Sequence, residues 1–172
     1  LFRTEVFVTV TRDPENSLIV EVAWRPRNSW RAVPLLRRVA EHALRAEGFT
    51  TGRLSVAVVG ATAMATLHRR FLGLPRPTDV LAFNFNTDRR RGHVDGEVVV
   101  CTDVARRRAA VRGRSLQVAR AELALYVVHG ILHLAGYDDR TPSAFLCMHA
   151  REDELLSGLG LGPVYRAGVD LI

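Results

Sequence analysis

Residues 129–139 read His129-Gly130-Ile131-Leu132-His133-Leu134-Ala135-Gly136-Tyr137-Asp138-Asp139. Four-residue spacing on a helix puts both imidazoles on one face, about one turn apart. Both can then reach a single zinc ion at the ~2.0–2.1 Å typical of zinc–nitrogen bonds. Gly136 ends the helix and turns the chain back, which places Asp139 to supply a third, carboxylate ligand. Three protein ligands leave one coordination position for water, the open arrangement of a catalytic zinc site rather than a closed structural one. A His-x-x-x-His pair alone is common on helix surfaces. This pair lies in an apolar run, residues 123–135, where buried imidazoles need polar partners. The pattern therefore predicts a metal site formed by His129, His133 and Asp139 on a long helix.

Gly130 occupies the position where metallopeptidases of the His-Glu-x-x-His type carry their general base. A peptidase using that glutamate is disfavoured. Glu122, seven residues before His129, is on the same helical face but two turns away.

Outward from this helix, elements of both kinds are mixed. Strands are predicted at residues 4–10, 54–59, 80–85 and 97–101, with the Val98-Val99-Val100 run marking a central strand, and residues 18–24 read as a further strand or an extended arm. Helices are predicted from about Pro34 to Ala46, over 62–71, from Thr102 or Asp103 as cap to about 111, over 116–135 behind Ser115, and from Thr141-Pro142 to about 156. The Arg-rich stretch 87–93 reads as a loop. There is no strict βαβ alternation, so the expected fold is α+β: one domain over 1–172, a small mixed sheet of about four strands with helices packed on it.

The chain has 172 residues, 48% hydrophobic and 24% charged, values of an ordinary globular domain. No apolar run reaches the ~20 residues of a membrane helix. The start shows no signal-peptide pattern, and Cys101 and Cys147 read as two buried free thiols; together these point to the cytoplasm. The net charge is +6 and all 24 basic residues are arginine, which fits either codon bias or an anionic partner such as nucleic acid.

The string from His129 to Asp138 resembles the signature of the YbeY family, His-Gly-x-Leu-His-Leu-x-Gly-Tyr-Asp-His. Pro77-Thr78-Asp79-Val80-Leu81-Ala82-Phe83 resembles the family's Thr-Asp-Val-Leu-Ser-Phe block. Gly96-Glu97-Val98-Val99-Val100-Cys101 resembles its Gly-Asp-Ile-x-Ile-Cys strand. Met148, Glu152 and Glu154 match the Met and acidic residues of its last helix. The resemblance covers roughly residues 50 to 160. It implies a single-strand-specific, zinc-dependent endoribonuclease with three histidine ligands, acting on the 3′ end of small-subunit rRNA and in ribosome quality control. The implied partners are single-stranded rRNA and the small ribosomal subunit. Two positions depart from the family. Asp139 stands where the third histidine is, and Leu72 stands where a functional arginine precedes the Thr-Asp-Val-Leu block.

The expected reaction is phosphodiester hydrolysis with one zinc per chain on His129, His133 and Asp139. Arg69, Arg70 and Arg76 lie close in sequence to the missing arginine and are candidates to bind phosphate, as is the run 89–91. The run 106–108 reads as a solvated helix face. Thr78 and Asp79 read equally as supports of the metal site or as caps of a strand. Asp138 reads first as a turn residue and second as a residue that orients a ligand, Phe83 and Phe85 as core, and His68, His93 and His149 as non-ligands. Two other readings use the same residues: an RNA- or ribosome-binding factor that keeps fold and metal without cleavage, and, less well supported, a metallopeptidase.

Overall fold

The computed structural model describes residues 17–27, 30–111 and 115–165. The strand expected at 4–10 lies outside them. Four strands form one mixed sheet: β1 (Leu18–Trp24), β2 (Thr51–Val59), β3 (Val80–Asn84) and β4 (His93–Cys101), in the order β1-β2-β4-β3. β1 pairs parallel with β2 and β2 parallel with β4, while β3 runs antiparallel along β4. The Val98–Val100 run is central, as its unbroken apolar character requires, because both of its faces are covered.

Five helices complete the described residues: α1 (Val33–Ala46), α2 (Ala61–Leu72), α3 (Thr102–Val111), α4 (Leu116–Leu134) and α5 (Pro142–Ser157). The alternating strand residues divide the core in two. Leu54, Val56 and Val58 of β2 with Val98 and Val100 of β4 pack under α1 and α4, whereas Ala57, Val59, Val99 and Cys101 pack under Met64 of α2. α4 and α2 therefore lie on opposite faces of the sheet.

From Glu122 to Leu134 α4 is largely apolar and mostly buried, because neighbours surround that part of it. The Ser115 hydroxyl accepts from the Val118 N–H at 3.1 Å and caps its start. Gly130 faces the sheet: a Cβ there would meet Val98 Cγ1 at 2.6 Å and Val80 Cγ2 at 3.2 Å. The missing glutamate of the peptidase pattern thus has a steric cause, since no side chain fits between α4 and β4.

Several expectations are corrected. Asp103 does not cap its own helix; α3 starts directly at Thr102, and Asp103 Oδ2 accepts from the Ala61 N–H at 2.6 Å, at the start of α2. Cys101 is buried but Cys147 is exposed, because α5 turns Met148 inward and its neighbour outward. The stretch 87–93 contains a 3₁₀ turn, Arg89–Arg91, whose start is held by Asp88 Oδ1 accepting from the Arg90 and Arg91 N–H groups. Arg89 is structural. It pairs with the buried Glu47 at 2.7 Å and donates to the Ala135 carbonyl at 3.4 Å, while its guanidinium lies 5.5 Å from the Tyr137 ring centroid. Arg151 of α5 holds the other Glu47 oxygen at 2.8 Å, so one buried carboxylate ties α1, the turn after α4, and α5 together.

Gly130→Glu, which would create the His-Glu-x-x-His string, is expected to destabilise the fold by about 3 kcal/mol or more, through overpacking and an unpaired buried charge. In thermal unfolding this is a drop in Tm of roughly 6–12 °C; an unchanged Tm would mean α4 does not sit this close to β4.

Candidate metal centre

The end of α4 and the turn after it build the site. Gly136 adopts φ 92°, its N–H donates to the His133 carbonyl at 3.0 Å, and the Tyr137 N–H donates to the Leu132 carbonyl at 2.9 Å. This closing motif satisfies the last carbonyls of the helix and reverses the chain. Asp138 then acts as the turn residue: its Oδ1 accepts from the Asp139 and Arg140 N–H groups at 2.9 and 3.2 Å. The turn carries Asp139 back to the two histidines.

The donor atoms converge. His129 Nε2 lies 2.9 Å from His133 Nε2, and Asp139 Oδ2 lies 3.9 Å and 4.0 Å from the two nitrogens. These edges bracket the roughly 3.4 Å between donors that each sit ~2.0–2.1 Å from one tetrahedral ion. The other ring nitrogens have partners of their own. His133 Nδ1 faces the Tyr137 carbonyl at 3.2 Å, and His129 Nδ1 faces Glu152 Oε1 at 2.7 Å. A carbonyl only accepts, and a carboxylate partner likewise favours a proton on Nδ1. Both Nε2 lone pairs are then directed at the same point, 2.9 Å apart, an arrangement that repels itself unless a cation or a proton lies between. The residues present therefore fit a metal ion.

Charge separates the two rings. Burial opposes protonation of His129, but the hydrogen bond and charge of Glu152, with Asp79 and Asp139 behind it, outweigh burial and hold the imidazole above its usual range. His133 is held below its usual range by burial and then by the charge of His129.

A cavity of about 160 Å³ opens beside His129, lined by Asp79, Arg108, Glu122, Tyr126, Glu152 and Tyr165 among others. Asp79 holds the start of β3, its Oδ1 accepting from the Val80 N–H at 2.9 Å and the Thr78 hydroxyl at 3.0 Å, and it lines this cavity as well. Glu122, two turns from His129 along α4, reaches the same cavity.

The structure does not bring Arg69, Arg70 and Arg76 to the histidines. Arg69 and Arg70 end α2, on the other face of the sheet, and Arg70 lines an open apolar groove of about 590 Å³ with Arg25, Phe71, Phe83 and Phe85. Arg76 lies in the following loop, its carbonyl accepting from His68 Nδ1 at 2.6 Å. Phe85, expected in the core, is 64% exposed at the rim of the groove, because β3 is an edge strand that ends at Asn84. The arginine that lines the cavity beside His129 is Arg108 of α3, from the run that reads as a solvated face.

Two further residues adjoin the histidine pair: Glu152, which the sequence offers only as a family match, and His149, which it gives no role. Glu152 is fully buried and meets His129, and His149 meets the other Glu152 oxygen at 2.5 Å. A glutamate among the apolar residues of a helix, three places after a histidine, was the available signal.

The family profile described as Endoribonuclease YbeY matches residues 27–160. The chain belongs to the YbeY family. Among curated relatives, the proteins named endoribonuclease YbeY of Mycobacterium tuberculosis and Mycobacterium marinum are 39% identical over 112 residues, 60% of this chain and 62% and 61% of theirs. The chain thus spans about three-fifths of the length of the curated relatives it matches. A solution structure from Thermotoga maritima is similar in fold, with a TM-score of 0.55 at 24% identity over 84% of this chain and 94% of that one. The α+β architecture read from the sequence is the YbeY-like fold, and no helix among the described residues is long and apolar enough to cross a membrane.

Removing Asp139 opens one corner of the donor triangle. Asp139→Ala is expected to weaken metal binding at least about tenfold, and Asp139→His, which restores the family's residue, to retain it. Competition against a chromophoric chelator reads both; equal affinity of wild type and Asp139→Ala would take Asp139 out of the site.

Proposed function

We propose that this chain is a zinc-dependent, single-strand-specific endoribonuclease with one zinc per chain, acting in the cytoplasm on the 3′ end of small-subunit rRNA and in ribosome quality control. The observation that carries the reading is the convergence of His129 Nε2, His133 Nε2 and Asp139 Oδ2 within 4.0 Å of one another. Membership of the family and the names of its relatives support RNA as the substrate class.

Zinc in such a site supplies Lewis acidity to a scissile phosphodiester and acidifies water. The chain's own residues do the rest. His129 and His133 present Nε2 because their Nδ1 atoms are engaged by Glu152 and by the Tyr137 carbonyl. Asp139 completes the donor set from a side chain that is partly open to solvent, which leaves a side for substrate. Arg108, at the cavity beside His129, takes the phosphate nearest the reaction in this reading. Arg69, Arg70 and Arg76 hold flanking backbone farther along the RNA, past the β3 edge.

The reading without cleavage, a metal- and RNA-binding factor of the ribosome, is favoured by Leu72 in the family's arginine position and by Asp139 in that of the third histidine. An aspartate makes the site one unit more negative than a histidine does, which offsets more of the ion's charge and leaves water less acidic. The peptidase reading loses ground because the position of its base, Gly130, has no room for a side chain.

The test is cleavage of an end-labelled single-stranded RNA beside its duplex. Zinc-loaded wild type is expected to cut the single strand only, and His129→Ala/His133→Ala to cut neither. Binding of metal and RNA without cutting would favour the second reading. Arg108→Ala is expected to lower RNA affinity and to reduce the slope of log affinity against log salt by about 0.7. It should cost more cleavage than Arg70→Ala does; the reverse order would return the phosphate role to α2.

A further inference from the structure

Glu152 is a carboxylate with no exposed surface, and each of its oxygens meets one imidazole. Oε1 faces His129 Nδ1 at 2.7 Å and Oε2 faces His149 Nδ1 at 2.5 Å. His149 is itself held on two sides. The Tyr165 ring lies parallel to it, 2° between planes and 3.7 Å between centroids, and the Phe145 ring meets it edge-on at 4.2 Å. Tyr165 is anchored in turn: its N–H donates to Asp153 Oδ1 at 3.0 Å, so the chain beyond α5 folds back over the helix. His149 and Tyr165 both line the cavity beside His129.

We propose that Glu152, His149 and Tyr165 form a positioning relay for the metal centre, in which Tyr165 fixes His149, His149 fixes the Glu152 carboxylate, and Glu152 fixes the ring of His129 with Nε2 directed at the ion. The inference rests on the metal reading given above. A buried carboxylate left with one partner gains an unsatisfied oxygen and is free to rotate. With both oxygens engaged it has one orientation, and so does the imidazole it holds. Partners behind a metal-binding histidine act in this way, fixing its tautomer and ring plane. His129, His149 and Glu152 are also close enough together to hold an ion; the relay gives His149 a positioning role rather than that of a ligand. Tyr165, which follows α5, thereby becomes part of the active site.

A structural ion pair alone would affect stability but not the metal's surroundings, and the test separates the two. Wild type, Glu152→Gln, His149→Leu, His149→Asn and Tyr165→Leu are compared for zinc affinity, by competition with a chromophoric chelator, and for the visible absorption of the cobalt-loaded protein. Glu152→Gln keeps the shape but turns an N–H₂ toward one of two N–H donors, and is expected to weaken zinc binding about 10–100-fold. His149→Leu is expected to weaken it about tenfold and to alter the cobalt bands, and Tyr165→Leu to do so in the same direction by less. His149→Asn places a side-chain N–H donor where Nδ1 stands and is expected to restore affinity and bands toward wild type. Circular dichroism confirms folding; if Glu152→Gln fails to fold, the two His149 variants decide. Affinities and cobalt bands of His149→Leu equal to wild type, or the same loss in His149→Leu and His149→Asn, would overturn the relay while leaving the metal site intact. A wild type that binds neither cobalt nor zinc would overturn the metal reading and the relay with it.

Discussion

The site depends on how close α4 comes to the sheet. A helix bearing two converging histidines must be fixed in rotation about its axis, because a turn of one residue carries both rings away by about 100°. Gly130 supplies that constraint. Lying between the two histidines, it lets the helix backbone rest on Val98 and Val80 at a distance that admits no Cβ. With Gly130 directed inward, His129 and His133 lie at the flank of the helix, beside α5 and the turn from Gly136 to Asp139. The residue that excludes a glutamate base is thus also the one that sets the rotation of the two histidines. Packing and chemistry are decided at the same position.

Two buried carboxylates, Glu47 and Glu152, tie together the elements around the site. Glu47 joins Arg89 and Arg151, and through them the end of α1, the turn after α4, and α5. Glu152 joins α5 to α4 through the His129 imidazole, and His149 of its own helix holds the second oxygen. Buried ion pairs contribute little net stability against their desolvation, but removing one partner is costly, so they specify geometry more than they strengthen the fold. Here the geometry specified is the angle and depth at which α5 meets α4, which decides whether Glu152 reaches His129.

Periodicity carried the fold and the convergence of the two histidines. The spacing of His129 and His133 encodes a shared face on any helix, and Gly136 with Asp138 encodes the reversal that returns Asp139, because these are local rules. The features that were not legible depend on contacts distant in sequence. Arg69 and Arg70 are near in the chain to the position of Leu72, yet a residue's number does not say which face of the sheet its helix covers, and α2 covers the face away from α4. Arg108 was passed over because three arginines on a helix spread around its axis, and only the neighbour of that helix determines which one faces a cavity. Asp103 caps a helix other than its own. Glu152 pairs with a histidine 23 residues away across a helix–helix contact. Phe85 lies one residue beyond an edge strand and so is left outside the core that its alternation predicts.

The central claim is that His129 and His133 hold a metal ion, and elemental mass spectrometry of the purified protein tests it most directly, with wild type measured beside His129→Ala/His133→Ala. About one zinc per chain is expected in the wild type and none in the double variant. Absence of metal from both, after zinc has been supplied during folding and purification, would contradict it.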